Sequence, residues 1–126
     1  MGARIFLVLS ALVWLPYGLF CLFFPPIVGE TAGILVQSAT GVTELRAMYG
    51  GLQIGLGALA LSGALHAALT RPALLALAFL CAGLGSARLL GTVFDGGTSS
   101  YTIAGLAFEF LSAGLAIRFL RRTSPA

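Results

Sequence analysis

Four long apolar segments dominate this sequence, and they limit what the chain can fold into. They cover approximately residues 5–24, 44–69, 73–95 and 101–120. Each is close to the roughly 20 residues that an α-helix needs to cross a hydrocarbon core about 30 Å thick. Since lipid offers no partner for free backbone N–H and C=O groups, such segments are expected to span it as helices. The sequence therefore predicts an all-α membrane protein, a four-transmembrane-helix bundle.

The composition supports this class and excludes others. Hydrophobic residues make up 59% of the chain and charged residues 9%, whereas soluble domains carry about a quarter charged residues. The first segment is interpreted as a retained helix rather than a signal peptide, because Trp14, Pro16 and Tyr17 stand where a small-residue cleavage site is needed. A basic, aromatic-interleaved segment for nucleic acid is lacking. We expect a single domain, 1–126, in a lipid bilayer, with 25–43 as an outer loop.

The distribution of arginine predicts the orientation. In a four-pass topology the loops on one side carry only Glu30, Asp95 and the neighbouring Glu44 and Arg46. Positive charge is enriched in cytoplasmic loops, so the other, arginine-rich side is assigned to the cytoplasm. Both termini are therefore expected to be cytoplasmic. The arginines that carry this prediction are Arg4, Arg71, Arg118, Arg121 and Arg122.

Each predicted helix has one face that collects its polar or small residues. At 100° per residue, these residues form stripes rather than a scatter. Polar stripes turn away from lipid toward the interior of a bundle. The polar members are Tyr17 on the first helix, Arg46, Tyr49 and Gln53 on the second, Arg88 on the third and Glu109 on the fourth.

Four of these residues are expected at one depth. Counted inward from the outer helix ends they lie seven or eight residues in, roughly 10–12 Å at 1.5 Å per residue. An unpaired charge at that depth costs several kcal/mol, so Arg88 is expected to pair with Glu109. Arg46, nearer the surface, is expected to reach Glu109 or Asp95. The four residues of this polar layer are Tyr17, Gln53, Arg88 and Glu109.

A second face of the second helix carries a small-residue pattern. Gly51 and Gly55 are spaced four apart, and Ser62 extends the same face. Small residues at this spacing let two helix backbones approach closely in membranes. Two interpretations stay open, which are packing against the first helix and the seam of a homodimer.

Catalytic and metal chemistry are not indicated. His66 is the only histidine and has no partner for a metal or haem site. Cys21 and Cys81 differ in expected depth by about 15 Å, too far for a disulfide, so both are expected to be free thiols. A nucleophile with its base or a cofactor motif is also lacking. We expect no cofactor, no metal and no catalytic residue.

The second segment carries a family resemblance. The run Thr43-Glu44-Leu45-Arg46-Ala47-Met48-Tyr49-Gly50-Gly51, followed by Gly55, Arg88 and Glu109, resembles a family of small bacterial four-helix membrane proteins known only as a domain of unknown function. That family looks related to the DoxX-like group. The resemblance implies a four-pass bundle in the bacterial inner membrane. It implies no catalytic residue, because the family has no established activity.

Two functions follow from these features. The first is a non-enzymatic accessory or scaffold subunit of a larger membrane assembly, with other membrane proteins or a second copy as partners. In that case the arginine–glutamate pair fixes the helix register. The alternative is a binder, carrier or modifying enzyme for a small lipid-like molecule, held by the polar layer. A cavity at the layer favours the binder, and a tightly filled layer favours the subunit.

Overall fold

The computed structural model describes residues 1–123, and all regular structure in this range is helical. Four helical segments are long and apolar enough to cross a membrane, so the predicted fold class is confirmed. The last three residues of the predicted domain 1–126 lie outside the described range. The elements are α1 (Gly2–Phe23), α2 (Pro25–Ala32), α3 (Ala39–Leu45), a π-helical turn (Arg46–Gly51), α4 (Leu52–Leu65), α5 (Ala67–Asp95) and α6 (Ser100–Arg122). Because α3, the π-helical turn and α4 are continuous, Ala39–Leu65 is the second long segment.

The connection 25–43, which was expected to be an outer loop, is largely helical. Helix α2 begins at Pro25, whose fixed φ and missing N–H suit the first turn of a helix. It ends at Gly33, which adopts a left-handed φ of 72°. Ser38 then caps α3, because its hydroxyl accepts a hydrogen bond of 3.1 Å from the backbone N–H of Gly41. Proline and serine thus start two helices that hydropathy alone does not detect.

The turn between the second and third segments lies at His66, earlier than the predicted break at 70–72. His66 alone is extended, with φ −118° and ψ 118°. The Thr70 hydroxyl donates to the Gly63 carbonyl at 2.8 Å and satisfies an oxygen at the end of α4. A Cβ at Gly63 would lie 2.6 Å from the Ala73 Cβ, so only glycine permits this crossing. Pro72 is accommodated inside α5, near its beginning.

The long segments pack in chain order, and all four contribute to the buried core. Helix α1 lies against α4, α4 against α5, and α5 against α6, whereas α1 and α6 touch each other much less. The α1–α4 contact is close because glycines face it: a Cβ at Gly57 would lie 2.9 Å from the Leu15 nitrogen, and one at Gly50 would lie 2.9 Å from the Leu22 Cα. The fully buried core includes Leu7, Leu74 and Leu77.

The two ends of the bundle differ in charge. At one end, which we call the arginine-rich end, Arg71 donates to the Thr123 carbonyl at 3.0 Å and joins the beginning of α5 to the end of α6. Glu44 and Asp95 are exposed toward the opposite end. Between the ends the outer surface is apolar, as expected for helices that face lipid.

Candidate functional site

A salt bridge joins α5 to α6 in the half of the bundle away from the arginine-rich end. The Arg88 Nη2 lies 2.7 Å from the Glu109 Oε1, and the Arg88 Nε donates to the Glu109 Oε2 at 3.0 Å. Glu109 is 4% exposed, whereas the Arg88 side chain is 26% exposed. This two-point contact gives the buried carboxylate a partner of opposite charge for both oxygens.

The neighbourhood of the guanidinium fixes its position. Gly105, one turn before Glu109, provides the space for the guanidinium, since a Cβ there would lie 2.8 Å from the Arg88 Nε. The Tyr101 ring lies below it, with 5.6 Å between the guanidinium carbon and the ring centroid, within range of a cation–π interaction. The α5–α6 pair therefore presents one pre-formed, charge-balanced group.

A cavity of about 400 Å³ lies directly against this salt bridge. All four long segments contribute to its wall. Helices α5 and α6 pack together on one side, and α1 and α4 pack together on the other. Most of the wall is apolar or aromatic. The lining residues are Val13, Trp14, Tyr17, Met48, Tyr49, Leu52, Gln53, Leu84, Arg88, Tyr101, Ala104, Gly105, Phe108 and Glu109.

Two buried polar groups in the wall have no hydrogen-bond partner among residues 1–123. The Trp14 Nε1 is fully enclosed and donates to no acceptor, although Trp14 is only 5% exposed. The Gln53 side chain is 7% exposed and also makes no hydrogen bond within the described range. Buried polar groups are usually satisfied, so the enclosed Trp14 Nε1 is an exception, whereas the Gln53 amide lines the cavity and can bond to a molecule there.

Five of the six polar residues that were predicted to face the bundle interior as candidate binding residues line the same cavity: Tyr17, Tyr49, Gln53, Arg88 and Glu109. Their common position follows from the helical phase and depth on which the prediction rested. Whether these residues bind a molecule stays a prediction.

The sixth, Arg46, is not part of the cavity wall, and its expected contact with Glu109 or Asp95 was wrong. Its guanidinium donates to the Leu22 carbonyl on α1. The cause is the π-helical turn, in which the Leu52 N–H bonds to the Ala47 carbonyl five residues back. A π-helical turn holds about one residue more than an α-helical turn, so the 100° phase used for Arg46 does not apply.

The small-residue face of Gly51, Gly55 and Ser62 does not pack against α1. A Cβ at Gly55 would meet no other described residue within 4 Å, and Gly51 is likewise exposed. Gly50 and Gly57 make the close contact instead, because they lie on the side of the segment that faces α1. Of the two interpretations, the homodimer seam stays a prediction.

Trp14 and Tyr101 were not among the predicted site residues. Trp14 precedes Tyr17 by three positions and Tyr101 precedes Glu109 by eight, spacings that return to the same helix face. The sequence therefore contained a signal for both. Tyr101 lies at a helix end, where the depth argument gave it no place in the layer.

Metal-ligand clusters are lacking in the described part of the chain. No group of three or more His, Cys, Asp or Glu side chains occurs there. Cys21 and Cys81 are buried and unpaired, as predicted. The expectations of no cofactor and no catalytic residue stay predictions.

The fold and the cavity define a small all-helical membrane protein with an ion-paired polar site between its helices. The chain belongs to the family described as Domain of unknown function (DUF4345), whose model matches residues 2–120. The comparisons with curated proteins and with solved structures give no match. The predicted membership of a family of unknown function is confirmed. The relation to the DoxX-like group and the bacterial origin stay predictions.

Proposed function

We propose that this protein binds a small, lipid-like molecule in the cavity beside Arg88 and Glu109. The observation that supports the proposal is that the polar layer adjoins open space instead of being filled by side chains. Its volume of about 400 Å³ falls in the range of roughly 300–1,000 Å³ that is typical of small-molecule sites. An apolar wall with a few convergent polar groups suits a molecule with a polar head and a hydrocarbon tail.

The proposal includes a route for the molecule. The cavity is partly open, and the rim residues Met48 and Leu52 are 55% and 41% exposed. In a bilayer these side chains would face acyl chains, so an amphiphile would enter sideways from the membrane rather than from water. With the predicted orientation, the site belongs to the outer half of a bacterial inner membrane. A carrier or a binding subunit fits this arrangement, and no chemical step is assigned.

An accessory or scaffold role is the second candidate. The observation that favours it is the exposed face of Gly51 and Gly55, which no described residue covers. A second copy or another membrane subunit would find close backbone access there. The two roles are compatible, because this face and the cavity do not share residues.

The binding proposal is testable with the fluorescence of Trp14, the only tryptophan. The protein is placed in nanodiscs of ordinary phospholipid, and a monoacylglycerol with a dibrominated chain is added. Bromine quenches tryptophan at contact, and Trp14 is shielded from bulk lipid at 5% exposure. We expect quenching that saturates at a low mole fraction and is reversed by the same monoacylglycerol without bromine.

Two variants of α6 give the matched control. Ala104 lines the cavity and Ala107 does not, although both are exposed. Ala104→Phe is expected to fill the cavity and remove the saturable quenching, whereas Ala107→Phe is expected to keep it. Quenching that rises linearly with mole fraction and is the same in both variants would reject the proposed function.

A further inference from the structure

Several N–H groups around the cavity have no described acceptor. The Trp14 indole is a donor only, and its N–H lacks an acceptor among residues 1–123. The Arg88 guanidinium uses Nε and Nη2 for Glu109, which leaves the N–H groups of Nη1 without a described acceptor. The Gln53 amide contributes two further N–H groups. The N–H groups of Arg88 Nη1 and of the Gln53 amide are therefore left without an acceptor among the described residues.

The charged acceptor in the wall is already engaged. Both carboxylate oxygens of Glu109 accept hydrogen bonds from Arg88. The other acceptors in the wall are the Gln53 carbonyl and the hydroxyls of Tyr17, Tyr49 and Tyr101, which can also donate. A head that accepts would pair with the free N–H groups of Arg88 and Gln53, whereas a head that could only donate would leave these N–H groups unpaired.

The charge of the site is already balanced. Arg88 and Glu109 neutralise each other within a surrounding of apolar and aromatic side chains. A ligand with a carboxylate, phosphate or ammonium head would add one uncompensated charge to this low-dielectric space, which is costly. The electrostatics therefore favour an uncharged head.

We propose that the cavity selects an uncharged amphiphile whose head carries a carbonyl oxygen as hydrogen-bond acceptor. The proposal rests on the proposed function and adds the class of ligand. The carbonyl oxygen accepts from Gln53 and from the free side of the Arg88 guanidinium, near the Trp14 N–H. The hydrocarbon tail leaves past Met48 and Leu52 at the exposed rim.

The test compares probes with one dibrominated alkyl tail and four ends: a methyl ketone, a plain methyl group, a carboxylate and a trimethylammonium. Saturable quenching of Trp14 is measured for each in neutral nanodiscs. We expect the ketone to bind at least about tenfold more tightly than the other three, because a hydrogen bond to a charged or buried donor contributes about 1.5 kcal/mol or more.

The two glutamines of the chain supply the control. Gln53 lines the cavity, whereas Gln37 is exposed in the connection between α2 and α3. Gln53→Leu should reduce the preference for the ketone over the plain hydrocarbon several-fold, and Gln37→Leu should leave it unchanged. Native mass spectrometry of the same probes should show the same loss of preference in Gln53→Leu, by a measurement that does not depend on Trp14.

The outcomes separate this inference from the proposed function. Equal binding of all four probes, or tightest binding of a charged one, overturns the carbonyl assignment while amphiphile binding stands. Water would then be the partner of the polar wall. An unchanged ketone preference in Gln53→Leu overturns it as well. Absence of saturable quenching by the dibrominated monoacylglycerol rejects the proposed function itself.

Discussion

At the scale of single residues, the site depends on a carboxylate that is nearly inaccessible. Glu109 is 4% exposed, and both of its oxygens are held by Arg88. Arg88 is less buried, because one side of its guanidinium faces the cavity. Removing one partner or the other therefore has unequal consequences. Loss of Arg88 leaves a buried negative charge unpaired, whereas loss of Glu109 leaves a cation that still faces the cavity.

The first prediction concerns this mutual dependence. Arg88→Met is expected to lower the free energy of unfolding by on the order of 3 kcal/mol, because it leaves Glu109 charged and unpaired. Glu109→Gln should cost less, since the amide still accepts from Arg88. The double variant with Met at 88 and Leu at 109 should recover much of the loss, since an apolar replacement of both partners is often close to neutral. Thermal unfolding in one detergent measures all of them.

Glu44→Gln is the matched control, because Glu44 is exposed and makes no salt bridge among residues 1–123. Its effect should stay within about 0.5 kcal/mol. Losses that simply add in the double variant would mean that Arg88 and Glu109 do not stabilise each other. Stability recovered together with loss of the saturable quenching of Trp14 would assign the pair to ligand binding.

Much of this site was predictable from the sequence. Helical phase and depth brought Tyr17, Gln53, Arg88 and Glu109 together, because α-helical geometry converts residue number into position. Arg46 was misplaced, since a local π-helical turn changes that conversion and leaves no mark in hydropathy. The open volume beside the layer was also unpredictable, because it depends on how far α1 and α6 stay apart.

At the scale of the elements, the contact between α1 and the second long segment depends on glycines at particular positions. A Cβ at Gly50 would lie 2.9 Å from the backbone Cα of Leu22, so one of the two helices would have to move. Gly55, five residues further on, would meet nothing within 4 Å. These two glycines look alike in the sequence and differ only in which way they face.

The second prediction uses this contrast. Gly50→Ala is expected to destabilise the protein by about 1–3 kcal/mol, the usual cost of forcing an extra group into a packed contact. Gly55→Ala should be neutral or slightly stabilising, since alanine favours the helix by up to about 1 kcal/mol over glycine. Thermal unfolding of the two variants under identical conditions checks the difference.

The size of the effect at Gly55 also bears on assembly. A loss as large as that at Gly50 would contradict an open Gly51–Gly55 face and indicate that another chain covers it. Equal stability of both variants and the wild type would contradict the close α1 contact described here.

The hairpin between α4 and α5 illustrates why helix bounds were harder to predict than helix number. The apolar segments 44–69 and 73–95 placed the break at 70–72, whereas the chain turns at His66. The decisive interactions are the Thr70 hydrogen bond to the Gly63 carbonyl and the close approach of Ala73. Both are tertiary contacts, so no local pattern identifies them.

At the scale of the whole molecule, charge is divided between the two ends of the bundle. Arg4, Arg71 and Arg118 belong to the end where α1 begins, α5 begins and α6 ends. The turn between α5 and α6, residues 96–99, belongs to the other end. Consecutive long helices run in opposite directions. The orientation of one of them in the membrane therefore determines the orientation of all four.

The third prediction is the topology that this division implies. Positive charge is retained in the cytoplasm. A reporter that works only in the cytoplasm should therefore be active when it is fused after Ala126. A reporter that works only on the outer side should be active when it is inserted in the turn 96–99. Paired alkaline phosphatase and green fluorescent protein fusions in a bacterial host measure both. A C-terminus outside the cytoplasm would contradict this topology and would place the cavity in the inner half of the membrane.

The π-helical turn sets how the rest of the second segment is rotated against the cavity wall. If Arg46–Gly51 had one residue fewer, it would be an ordinary α-helix, and α3 with the connection before it would swing by about 100° around the helix axis. The same continuous segment therefore directs Gln53 into the bundle and Arg46 onto the end of α1. A single additional residue thus rotates one part of an uninterrupted helix against the other, so that the two parts direct their side chains toward different surfaces.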